Sequence, residues 1–299
     1  RDFCLSRGLG DVYKRQLNVT LEDVNIKANN DAALSVEGAG NTKITLSGSN
    51  TLTGGDGHAG LEHNEKSKDD NDDSVDTGKL TITSEKDSGI LTATGGSGAA
   101  GIGSSNGKGT GTIEITGGNI TANGGNGGNG GDNGAGIGSG SMAAGNTNIT
   151  ISGGTIDCNT YDDAINSSSH MYIKGGTITV YSSGNDGLDS NGNLYFSGGT
   201  TVAYGTRSPE CGIDANEEEG YTVFFTGGNV LGIGGGNNSH PTTQESTQGY
   251  VTYSGNVTAG CILTVSKDGT VLATFTLPYD YSRGNVILTA DGMTAGEQY

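Results

Sequence analysis

The sequence predicts an all-β protein: a right-handed parallel β-helix over residues 17–248, followed by a small antiparallel β-module over residues 249–299. Three observations predict it. The chain holds 57 Gly, 3 Pro and 31% hydrophobic residues. Its apolar residues come in short β-branched runs between Gly, Ser, Asn and Asp clusters, as is typical of strands and turns. One phrase of strand, Gly-Gly and strand recurs along the chain, and such internal repetition is typical of solenoids.

The first element, residues 1–16, is predicted not to be native protein. Residues 11–16 (DVYKRQ) resemble the translation of a transposon-end adaptor used in sequencing libraries, and residues 1–10 resemble the read-through that flanks it. Segments of this kind are excluded from fold reasoning. We therefore expect the true N-terminus, with any secretion signal, to be missing. The chain also stops abruptly at residues 296–299, so we expect a truncation at the C-terminus as well.

From residue 17 onward the repeated phrase defines a rung, which holds a small residue, an Ile or Leu anchor, a polar pair, a strand, Gly-Gly and a second strand. Leu188 follows Ile165 after 23 residues, and Ile213 follows after a further 25. These spacings suit one coil of three short strands, and the longer spacings earlier in the chain suit coils with inserted loops. Leucine-rich repeats and propeller blades have other consensus patterns and fit less well. The anchors are Leu34, Leu61, Ile102, Ile137, Ile165, Leu188 and Ile213.

Each rung contributes inward-facing positions on both sides of its Gly-Gly. Because side chains alternate between the two faces of a strand, equivalent positions of stacked rungs point into one continuous core. Cys158 falls in such a column and is interpreted as a core residue. The columns before the Gly-Gly hold Ile113/Ile115, Ile149/Ile151, Met171/Ile173, Leu194/Phe196 and Val223/Phe225. The columns after it hold Ile120/Ala122, Ile156/Cys158, Ile178/Val180 and Thr201/Ala203.

Two insertions interrupt the rungs, and a different pattern follows them. Residues 63–76 contain five aspartates and are predicted to form a solvated loop, and residues 123–134 form a Gly/Asn-rich turn. Beyond the last rung, residues 250–253, 262–265 and 271–275 read as antiparallel strands with a hairpin. An open edge and an exposed core at the end of a β-helix invite aggregation. We therefore expect the C-terminal module to pack on the last rungs.

The charge balance excludes some classes of function. The net charge is −18 and the pI is near 4.3. A protein must supply basic groups to displace the counterions of phosphate, so nucleic acid and anionic membranes are disfavoured and cations are favoured as partners. No apolar run is long enough to predict membrane insertion. The cysteines lack the spacing of a zinc site or a disulfide framework. They are interpreted as unpaired, mostly buried thiols: Cys4, Cys158, Cys211 and Cys261.

Acidic residues form columns at the anchor turns of three consecutive rungs. Stacked rungs lie about 4.8 Å apart, so carboxylates of neighbouring rungs repel each other or share a cation. Calcium takes about six to eight oxygen ligands in flexible geometry, whereas zinc or copper would need His or Cys. Calcium is therefore the predicted cation, and the alternative is that these residues cap turns. The columns are Asp162/Asn185/Glu210, Asp163/Asp186/Cys211 and Asn166/Asp189/Asp214.

Aromatic side chains form a second set of columns. Tyr172, Tyr195 and Phe224 share one outward position before the Gly-Gly, and Tyr181 and Tyr204 share one after it. Exposed aromatic stripes mark recognition surfaces. Because sugar rings stack on aromatic faces, Tyr172, Tyr195 and Phe224 are candidate glycan-binding residues. The alternatives are cover by the C-terminal module and packing between rungs.

The phrase at residues 185–200 (NDGLDSNGNLYFSGGT) resembles a family of bacterial carbohydrate-binding parallel β-helix proteins with a fold akin to family 9 pectate lyases. The likeness extends from Asp162 through the rung at residues 224–228 into the C-terminal strands. It implies calcium as cofactor and an acidic plant cell-wall polysaccharide such as polygalacturonate, or cellulose, as ligand. Where the pattern would favour another acid, this chain has Cys211. The calcium ligands of the family carry over to Asp162, Asp163, Asp186, Asp189 and Asp214.

Three functions fit these observations. The first is non-catalytic, calcium-dependent binding of an acidic polysaccharide, outside the cell or at its surface. The second is a polysaccharide lyase, in which calcium would acidify the proton beside a uronate carboxyl and a base, Lys174 or Arg207, would remove it. The third is a structural adhesin rod without a specific ligand. Binding is favoured over cleavage, because a lyase pocket should hold more than one basic residue.

Overall fold

The structure, a computed structural model, describes residues 16–65, 77–86, 88–128, 132–141, 148–243 and 245–299. Within these residues the chain forms 23 strands, one 3₁₀ turn and no α-helix. The strands make a fourteen-stranded sheet, a seven-stranded sheet and a two-stranded sheet. The segment predicted to be read-through, apart from Gln16, lies outside the described residues. So do residues 66–76 of the predicted acidic loop.

The strands of the rungs are followed by those of the C-terminal module, β20 to β23. In chain order they are β1 (Leu17–Glu22), β2 (Asn25–Lys27), β3 (Leu34–Ser35), β4 (Thr42–Ser47), β5 (Ser49–Thr53), β6 (Leu61–Glu62), β7 (Leu80–Ser84), β8 (Ile90–Thr94), β9 (Ile102–Gly103), β10 (Ile113–Ile115), β11 (Asn119–Asn123), β12 (Ile137–Gly138), β13 (Ile149–Thr160), β14 (Ile165–Ser167), β15 (Met171–Ser182), β16 (Leu188–Ser190), β17 (Leu194–Tyr204), β18 (Ile213–Ala215), β19 (Val223–Gly234), β20 (Tyr250–Val257), β21 (Ile262–Lys267), β22 (Thr270–Thr276) and β23 (Tyr281–Thr289). The 3₁₀ turn is Glu217–Glu219.

The seven-stranded sheet carries the predicted anchors. Its strands are parallel, and each anchor pairs with the anchor of the next rung, from Leu34 with Leu61 to Leu188 with Ile213. Six anchors are fully buried, and Leu34 in the first rung is partly buried. The anchor column predicted from the sequence is confirmed. The strands of this sheet are β3, β6, β9, β12, β14, β16 and β18.

The fourteen-stranded sheet bends at the Gly-Gly pairs. Strands β13, β15, β17 and β19 each run through the bend, and the register shifts there between β13 and β15 and between β17 and β19. The second glycine of each pair has a positive φ, 89° at Gly154 and 92° at Gly176. Glycine reaches this region without the strain that a Cβ would bring. The predicted columns are confirmed on both sides of the bend, for example by the pairs Ile113–Ile149 and Ile120–Ile156.

The inward columns form one continuous core along the rungs. It extends from Leu21 in the first rung to Phe225 in the last. Cys158 is buried within it, as predicted. The protein is all-β within the described residues, with two large sheets built mainly from parallel strands. Parallel pairing in a repeated register around one core is consistent with a β-helix.

The C-terminal module extends the large sheet and covers the last rungs. Strand β23 pairs antiparallel with β19, and β20 pairs antiparallel with β23. Strands β21 and β22 form the predicted hairpin. The module contributes Phe275 and Val286 to a second core, whose rung side includes Leu231 and Ile233. Beyond residue 249 the strands are therefore antiparallel, and they pack on the last rungs.

The second aromatic column lies beneath this module. Tyr204 is fully buried, and its hydroxyl donates a hydrogen bond to the Tyr279 carbonyl oxygen at 3.3 Å. The ring centroids of Tyr181 and Tyr279 are 4.4 Å apart. Of the alternatives open at the sequence level, cover by the C-terminal module applies to Tyr181 and Tyr204.

Candidate cation and glycan site

The predicted acidic columns lie together at one corner of the rungs. The parallel register places Asn166, Asp189 and Asp214 opposite one another in β14, β16 and β18. The turn that enters each of these strands supplies the other members. We call the group the acidic cluster, and it consists of Asp162, Asp163, Asn166, Asn185, Asp186, Asp189, Glu210 and Asp214.

The inner members of the cluster support the backbone of the next rung. Asp163 and Asp186 are each 6% exposed. One carboxyl oxygen of Asp163 accepts the Asp186 N–H at 3.0 Å, and one of Asp186 accepts the Cys211 N–H. One oxygen of each is therefore committed to a capping role, which is the alternative left open by the sequence.

The outer members are joined through amide groups. The Asn166 side chain donates to Asp163 at 3.1 Å and to Asp189 at 2.6 Å, so it bridges carboxyl groups of two rungs. Asn185 donates to Asp162 at 3.1 Å in the same way. The carboxyl groups of Asp189 and Asp163 also lie within hydrogen-bonding range of each other. Carboxyl groups this close repel each other when both are ionised.

Burial and mutual repulsion favour the protonated forms of these carboxyl groups. Burial first, with Asp214, Asp189 and Glu210 contributing, raises the pKa of Asp186 to about 8. Burial and then Asp214 raise the pKa of Asp189 to about 7. The pKa values of Asp162, Asp163 and Asp214 are also raised, with burial the largest cause in each case.

Basic side chains do not compensate the cluster. The ion pairs among the described residues lie elsewhere, in the early rungs and in the C-terminal module. None joins a Lys, Arg or His to a carboxylate of the cluster. The cluster is therefore a concentration of acid that protons or a bound cation must neutralise.

Two glycines mark where the cluster begins. Gly103 and Gly138 occupy the same register column as Asn166, in the two preceding rungs. A Cβ at Gly138 would lie 1.9 Å from the Asn166 carbonyl oxygen, and φ is +125°. The corner has no room for side chains in these two rungs, so the glycines separate the acidic cluster from the earlier residue of the same column, Glu62.

Asn238 and Ser239 belong to this corner and were not predicted. Asn238 accepts the N–H groups of Gly212 and Ile213, both at 3.0 Å. Ser239 donates to Asp214 at 3.1 Å. Both residues lie in a segment without an anchor phrase, so periodicity gave no signal for them.

A smaller polar cluster, also unpredicted, lies at the same corner in the second rung. Glu62 is 4% exposed and occupies the column of Asp189. Its carboxylate accepts the Ala59 N–H at 3.1 Å and the Asn64 amide at 2.8 Å, and it lies 3.0 Å from His58 Nδ1. These contacts satisfy the buried carboxylate within the rung.

The first aromatic column is a stacked ladder. The ring centroids of Tyr172 and Tyr195 are 4.9 Å apart at 4°, and those of Tyr195 and Phe224 are 4.7 Å apart at 8°. His170 contacts both tyrosine rings edge-on. Phe224 is only 8% exposed. Packing between rungs therefore occupies ring faces of all three residues, and Tyr172 and Tyr195 remain partly exposed.

Compared with known proteins, the chain matches no family model, no curated protein and no solved structure. The described residues include no helix long and apolar enough to cross a membrane. They also include no three His, Cys, Asp or Glu side chains already arranged to hold a metal ion. A cation at the acidic cluster would require its side chains to reorient.

The two candidate bases lie in different places. Lys174 stands at the bend before Gly175, with Nζ 5.4 Å from the centroid of the Tyr172 ring. Arg207 is exposed in the turn after β17, where its carbonyl oxygen accepts the Glu210 N–H at 3.2 Å. Lys174 belongs to the ladder, and Arg207 borders the acidic cluster.

Proposed function

We propose that this protein is a right-handed parallel β-helix, secreted or held at the cell surface, that binds an acidic polysaccharide without cleaving it, through calcium at the acidic cluster. The observation that carries the proposal is the stack of carboxyl groups from consecutive rungs, which no described basic side chain neutralises. A polyanionic ligand would be repelled by these groups unless a cation stood between the two.

The donor set fits a hard cation. The cluster offers carboxylate and amide oxygens, which calcium accepts in flexible geometry. The nearby Cys211 thiol is a poor ligand, because burial raises its pKa and keeps it protonated. Bound calcium would supply positive charge and open coordination positions for a uronate carboxylate. The oxygen-only chemistry therefore favours calcium over zinc or copper.

The residues of the cluster would have different roles in cation binding. Asp163 and Asp186 hold the turns in place through the backbone N–H groups that they accept. Asp162, Asp189 and Asp214 are half-buried and would present oxygens toward solvent. The Asn166 amide now donates to two carboxylates, so it must turn over to offer its oxygen instead.

The aromatic ladder would extend the surface. In each rung the ladder residue follows the acidic corner after a short turn, as Tyr195 follows Asp189. An extended polysaccharide would then contact both a cation held by the carboxylates at the corner and the hydroxyls of Tyr172 and Tyr195 on the neighbouring strands. Asn193 donates to the Tyr195 hydroxyl at 2.9 Å, which orients it.

Retention on immobilised polygalacturonate tests the proposal. We expect the protein to be retained with calcium and released by chelator. Asp189→Asn should abolish retention, and Asp157→Asn, an exposed aspartate outside the cluster, should not change it. Retention that survives chelator would contradict the calcium role. Unsaturated product absorbing in the near ultraviolet would establish a lyase. If the protein were not retained on any acidic glycan, the structural adhesin rod would be the remaining function.

A further inference from the structure

One strand of the C-terminal module leaves a long edge of the large sheet open. Strand β20 is the last strand of the fourteen-stranded sheet and, within the described residues, pairs with β23 alone. Of its residues only Val257 is buried. Tyr250, Val251 and Tyr253 are 36%, 45% and 43% exposed, so the strand shows apolar side chains to solvent on both faces.

The usual protection of an edge strand is missing here. Proteins block edges with charged residues, proline, bulges or a covering segment. No Asp, Glu, Lys, Arg or Pro occurs from Ser246 to Ser266, although the chain carries a net charge of −18. The one irregularity in β20 lies at its end, between Gly255 and Val257. The open N–H and C=O groups of β20 are therefore a template for another strand.

The charge distribution selects a second copy of this chain as the occupant. Two copies of a strongly acidic protein repel each other over most of their surfaces, but the neutral stretch around β20 removes that cost locally. A basic partner would instead be attracted to the carboxylates elsewhere. Identical strands running antiparallel about a twofold axis are self-complementary, because each presents its own N–H and C=O groups to the other.

We propose that the protein forms a homodimer in which β20 of one copy pairs antiparallel with β20 of the other, so that the large sheet continues across a twofold axis. A groove beside the strand supports this. It has a volume of about 440 Å³ and is lined by four residues of β20 together with Asn237, Asn238, His240, Asn285 and Val286. This space suits side chains that project from a partner strand.

The test is the mass in solution, measured by light scattering and sedimentation over a wide range of concentration. We expect the wild type to double its 30.0 kDa mass as concentration rises. Val251→Lys and Tyr253→Lys each add a positive charge to the same face of β20, so that like charges meet across the paired strands, and both variants should remain monomeric. Ile90→Lys is the matched control, because Ile90 is 41% exposed on β8, which is paired on both sides, and this variant should still dimerise.

Hydrogen exchange gives a second measurement that does not depend on the variants. The β20 amides at the open edge should be protected at dimer-forming concentration and exchange rapidly on dilution. A wild type that stays monomeric at every concentration, or a dimer that survives both lysine substitutions, would overturn the proposal. The dimer should form in chelator as well, so its failure is separate from a failure of calcium-dependent glycan binding.

Discussion

At the scale of single residues, the aspartates of the acidic cluster divide into two kinds. Asp163 and Asp186 each accept a backbone N–H of the following rung, so the fold depends on them whether or not a cation is bound. Asp189 accepts its hydrogen bonds from side chains. It can therefore serve a ligand without loosening the backbone, and the two kinds should respond differently to substitution.

In chelator at about pH 8, Asp189→Asn should raise the free energy of unfolding by about 1–3 kcal/mol, because it removes an ionised carboxyl whose pKa in the fold is about 7. Asp186→Ala should lower the same quantity by about 1–3 kcal/mol, because the buried Cys211 N–H loses its acceptor. Urea denaturation measures both. Asp157→Asn is the control, with no expected change. If both cluster variants changed the free energy of unfolding in the same direction, the division of the aspartates into two kinds would be contradicted.

The raised pKa values also set the pH dependence of stability. The pKa is about 8 at Asp186 and about 7 at Asp189 in the fold, against an ordinary value of 3.8. The folded chain therefore binds these protons more tightly than the unfolded chain. Their contribution to stability is complete below about pH 4 and is lost as the pH rises through about 7 to 8.

In chelator, the melting midpoint should therefore fall as the pH is raised from about 5 to about 8.5. Added calcium should raise the midpoint more at the alkaline end than at the acid end, because the cation competes with protons for the same oxygens. Differential scanning calorimetry measures both effects. A midpoint that stays level or rises with pH in chelator would mean that burial and repulsion do not raise the pKa values of these carboxyl groups in the fold.

At the scale of strands, the seven-stranded sheet depends on glycine where the backbones of neighbouring rungs approach closely. Gly138→Ala should lower the free energy of unfolding by about 3 kcal/mol or more, because its Cβ would meet the Asn166 carbonyl oxygen and φ is +125°. Gly107→Ala is the matched control. Its φ is +71° but its Cβ would meet nothing within 4 Å, so a cost of about 1 kcal/mol is expected. Urea denaturation measures both losses of unfolding free energy. Equal losses for the two variants would contradict the close approach at Gly138.

The strands were predictable because their signal is periodic. Anchors such as Ile165 and Leu188 recur with small residues before them, and parallel stacking of like positions then gives the register. The acidic column followed from the same alignment. Asn238 could not be found in this way, because its segment has no repeat and its position depends on how the chain leaves β19.

Periodicity also could not show what covers an outward residue. Alternation places Tyr204 on the outer face of its strand, but only the packing of the C-terminal module shows that Tyr279 buries it. For the same reason the pattern placed Tyr172 and Tyr195 outside without showing that their ring faces stack on each other.

At the scale of the whole molecule, the candidate functional features lie in the C-terminal half of the sequence. The acidic cluster, the aromatic ladder and the open edge of β20 all lie beyond residue 160, whereas the middle rungs have Gly103 and Gly138 at the corresponding corner. With a net charge of −18, the chain would gain from a bound cation at the acidic cluster, where burial and neighbouring carboxyl groups raise the pKa values of the aspartates. Calcium binding should therefore appear in the stability of the whole protein.

A calorimetric titration of calcium into chelator-treated protein tests the central claim most directly. We predict saturable binding by the wild type and by Asp157→Asn, with the affinity reduced at least about tenfold, or about 1.4 kcal/mol, in Asp189→Asn. Calcium at about 100 times its dissociation constant should add about 2.7 kcal/mol to the free energy of unfolding of the wild type. Absence of saturable binding by the wild type, or equal binding by all three proteins, would contradict the assignment of calcium to the acidic cluster.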